Sequence, residues 1–273
     1  MKPSPRSYLF VPGDRPERFA KAEASGADAV LLDLEDAVAP DHKAAARQQV
    51  AQWLSMADAA RRAALIVRVN AADTPWFDDD LAMLRDVGAL MLMWPKAEAP
   101  DTALRLRAAC PGIGVLALIE SARGVLGAEG IAACEGVERL AFGAIDFALD
   151  MSLPDDSPLL DIAAARVALA SRAAGLDAPV ASVSTAIGDA AALQADVAQA
   201  RRLGFGAKLC IHPAQVAVVH AALAPGDADV AWARRIVDAA AAAGGAAVKV
   251  DGRMVDRPVL LRAQQLLQRA DRR

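Results

Sequence analysis

Eight short apolar runs rich in β-branched residues, each followed by an alanine-rich amphipathic stretch, predict an α/β fold: a (β/α)8 TIM barrel with a C-terminal helical extension. Two further observations point the same way. The chain has 273 residues, close to the roughly 250 such a barrel needs. Polar residues also gather where the apolar runs end, the face on which a parallel barrel carries its chemistry.

The first strand is predicted at 8–11 and ends in Val11-Pro12-Gly13-Asp14. An open doubly wound sheet is the alternative, and it normally shows a glycine-rich fingerprint at this point, which is missing. Further strands are predicted at 29–32, 65–69, 89–94, 115–119, 139–142, 180–183 and 207–211. Helices are predicted between them at 16–24, 42–56, 77–86, 102–109, 125–133, 160–174, 190–202 and 213–222. Asp78-Asp79-Asp80 reads as solvated charge in the first turn of its helix, where it suits the macrodipole. These residues, 1–224, form the predicted catalytic barrel. Pro225-Gly226-Asp227 then breaks the repeat. Residues 225–273 read as a helix at 229–243 ended by Gly244-Gly245, a short strand at 246–250, an Asp251-Gly252 turn and an arginine-rich helix at 258–270. Such an appendix is expected to serve as a lid or subunit contact.

Composition excludes several classes of function. Thirty basic residues against 34 acidic ones leave a formal charge of −4, so no basic excess exists to neutralise nucleic-acid phosphates. No charge-free apolar run reaches the roughly 18 residues of a membrane span, and the stretch before Pro12 is too short for a secretory signal. Cys110, Cys134 and Cys210 are odd in number and widely spaced, which fits neither a disulfide framework nor a zinc motif. A reducing cytoplasm is the simplest location.

Each strand end delivers something polar. Strand two ends in Asp33-Leu34-Glu35-Asp36, strand three in Arg68 and Asn70, strand four in Pro95-Lys96, strand five in Glu120 and strand six in Gly143 followed by Asp146. Glu120 and Asp146, from neighbouring strand ends, suit a hard cation such as Mg²⁺ with water and substrate oxygens completing the shell. They also suit ordinary helix-capping carboxylates. Arg68, in an apolar run, either binds a substrate carboxylate bidentately or pairs with Asp33, Glu35 or Asp36. Those three carboxylates support Arg68 and Lys96, or form a competing metal site. His212, before Pro213, reads as a core or capping residue, and His42 and His220 as surface residues. Arg18, Lys21, Lys43 and Arg47 form a solvated face, with phosphate binding as the alternative. Cys110 and Cys210 read as packing residues.

Eight strings in order carry a resemblance: RSYLFVPGDRPERFAKA, ADAVLLDLEDAVAPDHKAAAR, VRVN, WPKAE, ALIESARGV, AFGAIDFALD, GFGAKLCIHPAQ and DGRMVDRP. Across nearly its whole length the chain resembles the citrate lyase beta-subunit-like group of the HpcH/HpaI aldolase family. The resemblance implies a Mg²⁺-dependent carbon–carbon lyase acting beside a thioester. Glu120 and Asp146 match the family's metal ligands, and Arg68 its substrate-carboxylate arginine. Phe10, Arg18 and Lys21 fall in the segment used near the acyl-CoA. Asp256 matches an acidic residue offered by a neighbouring subunit, which implies a homotrimer or a dimer of trimers. Family members often carry an acidic residue near the middle of the segment where this chain has Ala181 and Ser182, which bears on substrate preference.

The implied reaction is a retro-aldol cleavage of a 3-hydroxy-acyl-CoA (citramalyl-CoA, malyl-CoA or citryl-CoA) to acetyl-CoA and a 2-oxo acid. Asp256 is the expected acid–base group, provided burial at the subunit interface raises its pKa. The competing readings are a citrate lyase beta subunit acting on a citryl-thioester of an acyl-carrier subunit, a malyl-CoA thioesterase, and a non-enzymatic metabolite-binding barrel.

Overall fold

Strands whose side chains alternate between two apolar surroundings are expected to lie between a packed interior and a helical coat, and they do. In the computed structural model, which describes residues 4–244 and 247–270, eight parallel strands pair in sequence order and the last closes onto the first. They are β1 (Ser7–Pro12), β2 (Ala29–Asp33), β3 (Leu65–Arg68), β4 (Met91–Trp94), β5 (Gly114–Ile119), β6 (Val137–Phe142), β7 (Val180–Ala181) and β8 (Ala207–Cys210). The coat comprises α1 (Phe19–Glu23), α2 (Lys43–Ser55), α3 (Ala59–Arg62), α4 (Phe77–Asp86), α5 (Pro100–Ala109), α6 (Ala122–Ala132), α7 (Ala144–Asp150), α8 (Pro158–Ala173), α9 (Ala190–Arg202) and α10 (Ala214–Leu223).

Period-two alternation selects what fills the barrel. Tyr8, Ala29, Leu31, Ile66, Met93, Leu116, Leu118, Ala141, Val180, Ala207 and Leu209 form one buried cluster, every second residue of their strands. Each fully buried leucine contributes about 2 kcal/mol by burial. Leu31→Ala would cost about 2–5 kcal/mol, because a closed barrel cannot collapse around the hole. Two residues beyond these apolar positions, the same inward face carries Asp33, Arg68 and Glu120. The alternation that builds the core therefore also delivers the polar rim.

The helices begin where their sequences offer caps. Asp189 accepts the Ala192 N–H at the start of α9, and Ser121 accepts that of Gly124 at the start of α6. Gly204, at φ 96°, turns the chain from α9 toward β8, a conformation that residues with a Cβ rarely adopt. Three details differ from expectation. β7 has two residues instead of four, the 16–24 helix is a 3-10 turn at Pro16–Arg18 leading into α1, and α3 and α7 carry no strong periodic signal. Both are short: α3 has four residues and α7 seven.

The chain divides into two compact units, the barrel from Ser4 to Ala222 and a second from Leu223 onward. The second unit contains α11 (Asp227–Ala242), β9 (Val248–Val250), β10 (Arg253–Val255) and α12 (Arg257–Ala270). Ala233, Ile236, Val255 and Ala263 are its buried core. Asp251 and Gly252 both have positive φ, 48° and 80°, as a two-residue antiparallel hairpin requires. The extension is thus helix–hairpin–helix, and β10 is the strand that sequence reading left out. Gly245, Ala246 and residues 271–273 lie outside the described residues.

Candidate active site

Asp33 and Arg68 stand directly opposite one another in the β2–β3 register, so their inward side chains must meet. Arg68 donates from Nε to Asp33 Oδ1 at 2.7 Å and from Nη2 to Oδ2 at 2.6 Å. Its Nη1 lies 2.9 Å from Glu35 Oε2, and its guanidinium stacks 4.8 Å over the Phe10 ring. Burial opposes the charge on Arg68, but Asp33 and Glu35 outweigh it and hold its pKa above the ordinary value. The ion pair foreseen for Arg68 is therefore real. Two of its five N–H groups are bonded to Asp33, and Nη1 meets Glu35 only as an ion pair, so both terminal nitrogens keep N–H groups for a further carboxylate.

The Asp33–Asp36 turn is locked from two sides. Asp33 Oδ1 accepts the Glu35 N–H at 2.9 Å, and Lys43 Nζ donates to the Leu34 and Glu35 carbonyls, each at 2.7 Å. Glu35 is buried, and burial raises its pKa despite Arg68 and Lys96 Nζ, the latter 3.0 Å from Oε1. Neither Glu35 oxygen accepts a well-directed hydrogen bond.

Glu120 continues the inward face of β5 and is 4% exposed. Its Oε1 accepts the Lys96 N–H at 2.7 Å. Burial first, then the carboxylates of Glu35 and Asp146, push its pKa up to about 8 against the pull of Lys96 N–H and Arg68. Space for this carboxylate depends on Gly143, where a Cβ would lie 2.9 Å from Glu120 Oε2. Asp146 sits half-buried in the first turn of α7, whose Ala144 N–H donates to Ser182 Oγ at 3.0 Å. Phe10, Arg68, Glu120, Asp146 and Ser182 line one cleft of about 340 Å³.

These residues fit a hard divalent cation. The donors are oxygens, and a buried Glu120 beside two other carboxylates is costly to ionise without a positive partner. Among the described residues no three carboxylate, histidine or cysteine side chains form a ready-made cage. A pair is what Mg²⁺ commonly takes from a protein, water and substrate supplying the rest.

The other foreseen residues lie elsewhere. Arg18 is exposed, 3.8 Å from Glu17, and Lys21 is exposed on α1; neither lines the cleft. Asp256 belongs to the second unit, where it is exposed and its Oδ1 accepts the Val259 N–H at 3.3 Å. Lys43 and Arg47 are not a solvated face: Lys43 is buried under the Asp33–Asp36 turn, and Arg47 Nε donates to Asp80 Oδ1 at 2.7 Å. Asp80 is not solvated either. It is 0% exposed and its Oδ2 also accepts from the Asn70 backbone and side-chain amides. A run of like charges hides which member turns inward, and only the fold revealed that Asp80 does. His212 caps α10 through the Ala214 N–H and His42 is exposed, whereas His220 is half-buried against Ser7 Oγ at 2.8 Å. Burial pushes the Cys210 thiol up to about 12, so it is an inert packing residue.

The family model for HpcH/HpaI aldolase/citrate lyase matches residues 6–213. A citrate lyase subunit beta-like protein of Deinococcus radiodurans is 41% identical over 96% of both chains. A (3S)-malyl-CoA thioesterase of Cereibacter sphaeroides is 34% identical over 97% of this chain and 94% of its own. The crystal structure of protein CitE from Mycobacterium tuberculosis in complex with magnesium, acetoacetate and coenzyme A superposes with a TM-score of 0.88 at 35% identity, covering 99% of this chain and all of that one. With this barrel, this cleft and these relatives, the chain belongs to the HpcH/HpaI aldolase/citrate lyase family.

Proposed function

We propose that the protein is a Mg²⁺-dependent carbon–carbon lyase that cleaves a 3-hydroxy-acyl-CoA of the citramalyl-, malyl- or citryl-CoA type to acetyl-CoA and a 2-oxo acid. The observation that carries this reading is the meeting of Glu120, Asp146 and Arg68 at one cleft, with Glu120 buried beside other carboxylates. Glu120 and Asp146 hold the metal, which when bound polarises the oxygen that becomes the keto group. Arg68 receives the substrate carboxylate on free N–H groups of its terminal nitrogens, while Asp33 and Glu35 keep the guanidinium in place. Breaking the bond between the α-carbon of the thioester and the hydroxyl-bearing carbon releases the hydroxyl proton, forms the carbonyl and leaves the electron pair as an acetyl-thioester enolate. Asp256 takes the hydroxyl proton as a carboxylate and returns it to the enolate carbon, which completes the acetyl methyl and restores the carboxylate.

Asp256 reaches the reaction from a neighbouring subunit, so residues 225–273 act as subunit contact and lid in a homotrimer or a dimer of trimers. Arg18 and Lys21, exposed and uncommitted to the core, take the phosphates of CoA, and Phe10 lies near the acyl group. Mixing inactive Glu120→Gln subunits with inactive Asp256→Asn subunits should restore turnover if sites are shared. Full activity of Asp256→Asn alone would remove that residue from the mechanism.

Two relatives favour other outcomes for the same site. The thioesterase points to hydrolysis of malyl-CoA, and the lyase-subunit relative to a citryl-thioester on an acyl carrier. A coupled assay separates them, using citramalyl-CoA, malyl-CoA and citryl-CoA with and without Mg²⁺. Metal-dependent release of acetyl-CoA supports the proposal, and malate with free CoA supports the thioesterase. No turnover of any of the three by folded, metal-loaded protein leaves the carrier-dependent subunit.

A further inference from the structure

The end of β4 holds a backbone conformation that needs explaining. Lys96 follows Pro95 with φ at 48°, in the left-handed region where a residue with a Cβ stays only if its surroundings over-determine it. Those surroundings are visible on both sides. Toward the cleft, the Lys96 N–H donates to Glu120 Oε1 at 2.7 Å and its ammonium lies 3.0 Å from Glu35 Oε1. Next along the chain, the Ala97 N–H donates to the Leu118 carbonyl at 3.0 Å.

Helix α6 closes on the same segment from behind. A Cβ on Gly124 would lie 2.5 Å from the Ala97 carbonyl oxygen, and one on Gly127 would lie 2.7 Å from that of Glu98. Both contacts are with backbone, which cannot swing aside as a flexible side chain can. Ser121 accepts the Gly124 N–H and donates to Glu98 Oε1 at 2.7 Å, tying the helix start to the segment. Glycines three residues apart on one helix face therefore let residues 97 and 98 lie flat against α6.

We propose that Lys96 is a positioning residue: the turn at 96–98, clamped against Gly124 and Gly127, aims the Lys96 N–H at Glu120 and its ammonium at Glu35, and so fixes the carboxylate that holds the metal. The proposal rests on the reading of Glu120 as a metal ligand. A glutamate has three side-chain torsions to immobilise, and an amide donor on Oε1 removes most of that freedom before the cation arrives. Oε2 is left beside Gly143, which lines the cleft. Glycine at position 96 would adopt this φ without strain, but it would leave Glu35 without its second cation.

The test is Mn²⁺ titration of substrate-free protein, followed by electron paramagnetic resonance, with Mn²⁺ standing in for Mg²⁺. Gly127→Ala displaces the segment from a position outside the cleft and should weaken Mn²⁺ binding about 10-fold or more, the usual cost of losing a group that orients a ligand. Its lost kcat should return at high Mg²⁺, which a general loss of folding would not allow. Gly130→Ala, whose Cβ would meet only Pro100 at 3.3 Å, serves as the control and should bind Mn²⁺ as the parent does. An amide-to-ester replacement at residue 96 deletes the N–H while keeping every side chain, and should reproduce the Gly127→Ala loss. It decides the matter if that variant does not fold. Unchanged Mn²⁺ affinity in both, with binding abolished in Glu120→Gln, would overturn the proposal and leave the metal site standing. Unchanged binding in Glu120→Gln would overturn both.

Discussion

At the floor of the barrel Arg139, 5% exposed, donates to the Ala178 and Pro5 carbonyls and to the Tyr8 hydroxyl, all of them neutral. At the rim Arg68, 9% exposed, meets the carboxylates of Asp33 and Glu35. Among the described residues the rim gathers five carboxyl groups, Asp33, Glu35, Asp36, Glu120 and Asp146, around Arg68, Lys96 and the buried Lys43. The floor joins strand ends through groups that satisfy one another, and its work is complete once the barrel closes. The rim keeps an excess of acceptors and negative charge that the chain alone does not neutralise. Buried charge is thus a structural device at one end and a binding device at the other, although both arginines look alike in the sequence.

The sharpest way to break this contrast is to remove one charge from each end. Glu120→Gln or Asp146→Asn should lower kcat/KM at least about 100-fold and abolish Mg²⁺ binding, with no loss of stability in metal-free protein. Arg139→Met should instead cost about 3 kcal/mol of stability, because it strips partners from a buried hydroxyl and two carbonyls, while Mg²⁺ affinity is kept. Calorimetric titration with Mg²⁺ and urea unfolding of the three variants give both readings. Loss of metal affinity in Arg139→Met would show that the two ends are coupled.

A smaller effect sharpens the rim itself. Arg68→Lys keeps the positive charge but cannot hold both Asp33 oxygens and still offer two N–H groups to a substrate. It should lose about 10- to 100-fold in kcat/KM, mostly through KM for the carboxylate-bearing thioester. Steady-state kinetics would show this. A variant with unaltered KM would mean that Arg68 serves only to balance Asp33 and Glu35.

The fold was legible because a closed parallel barrel repeats one instruction eight times: an apolar strand, a polar end, an amphipathic helix. Arg68, Glu120 and Asp146 were legible for the same reason, since they sit at strand ends or just beyond them, whereas Phe10 came from resemblance. What remained hidden depends on the third dimension. Asp80 looks no different from Asp78 and Asp79 in the sequence, yet it alone of the three is buried, accepting from Asn70 as well as Arg47. Lys43 reads as one more surface cation until the Asp33–Asp36 turn lies over it. Lys96 acts partly through its backbone N–H, a group common to all residues but proline, and only its positive φ marks it out. Asp256 came from resemblance alone, because no pattern within one chain reveals what another copy supplies.

The least effect expected is also the one that sets floor against rim most directly, because the two ends should answer acid with opposite signs. At the rim, burial and neighbouring carboxylates raise Glu120 from the ordinary 4.5 to about 8. The unfolded chain releases this proton first, so the stability Glu120 contributes is complete below pH 4.5 and is lost as pH rises through 8. At the floor, burial and the Arg6 charge lower His220 below the ordinary 6.5 despite Asp28. Its contribution is complete above pH 6.5 and is lost as pH falls through the lowered folded value. Thermal melts of metal-free protein across this range should therefore show Glu120→Gln melting a few degrees above the parent at pH 8 and converging with it toward pH 4.5. His220→Gln should differ in the other limb, with a shallower fall below pH 6.5. Saturating Mg²⁺ at pH 8 should reverse the first difference, since a cation bound only by the folded parent adds stability that the glutamine variant cannot gain. Parallel melting curves for parent and Glu120→Gln, with and without metal, would mean that the rim carries its charge as comfortably as the floor does.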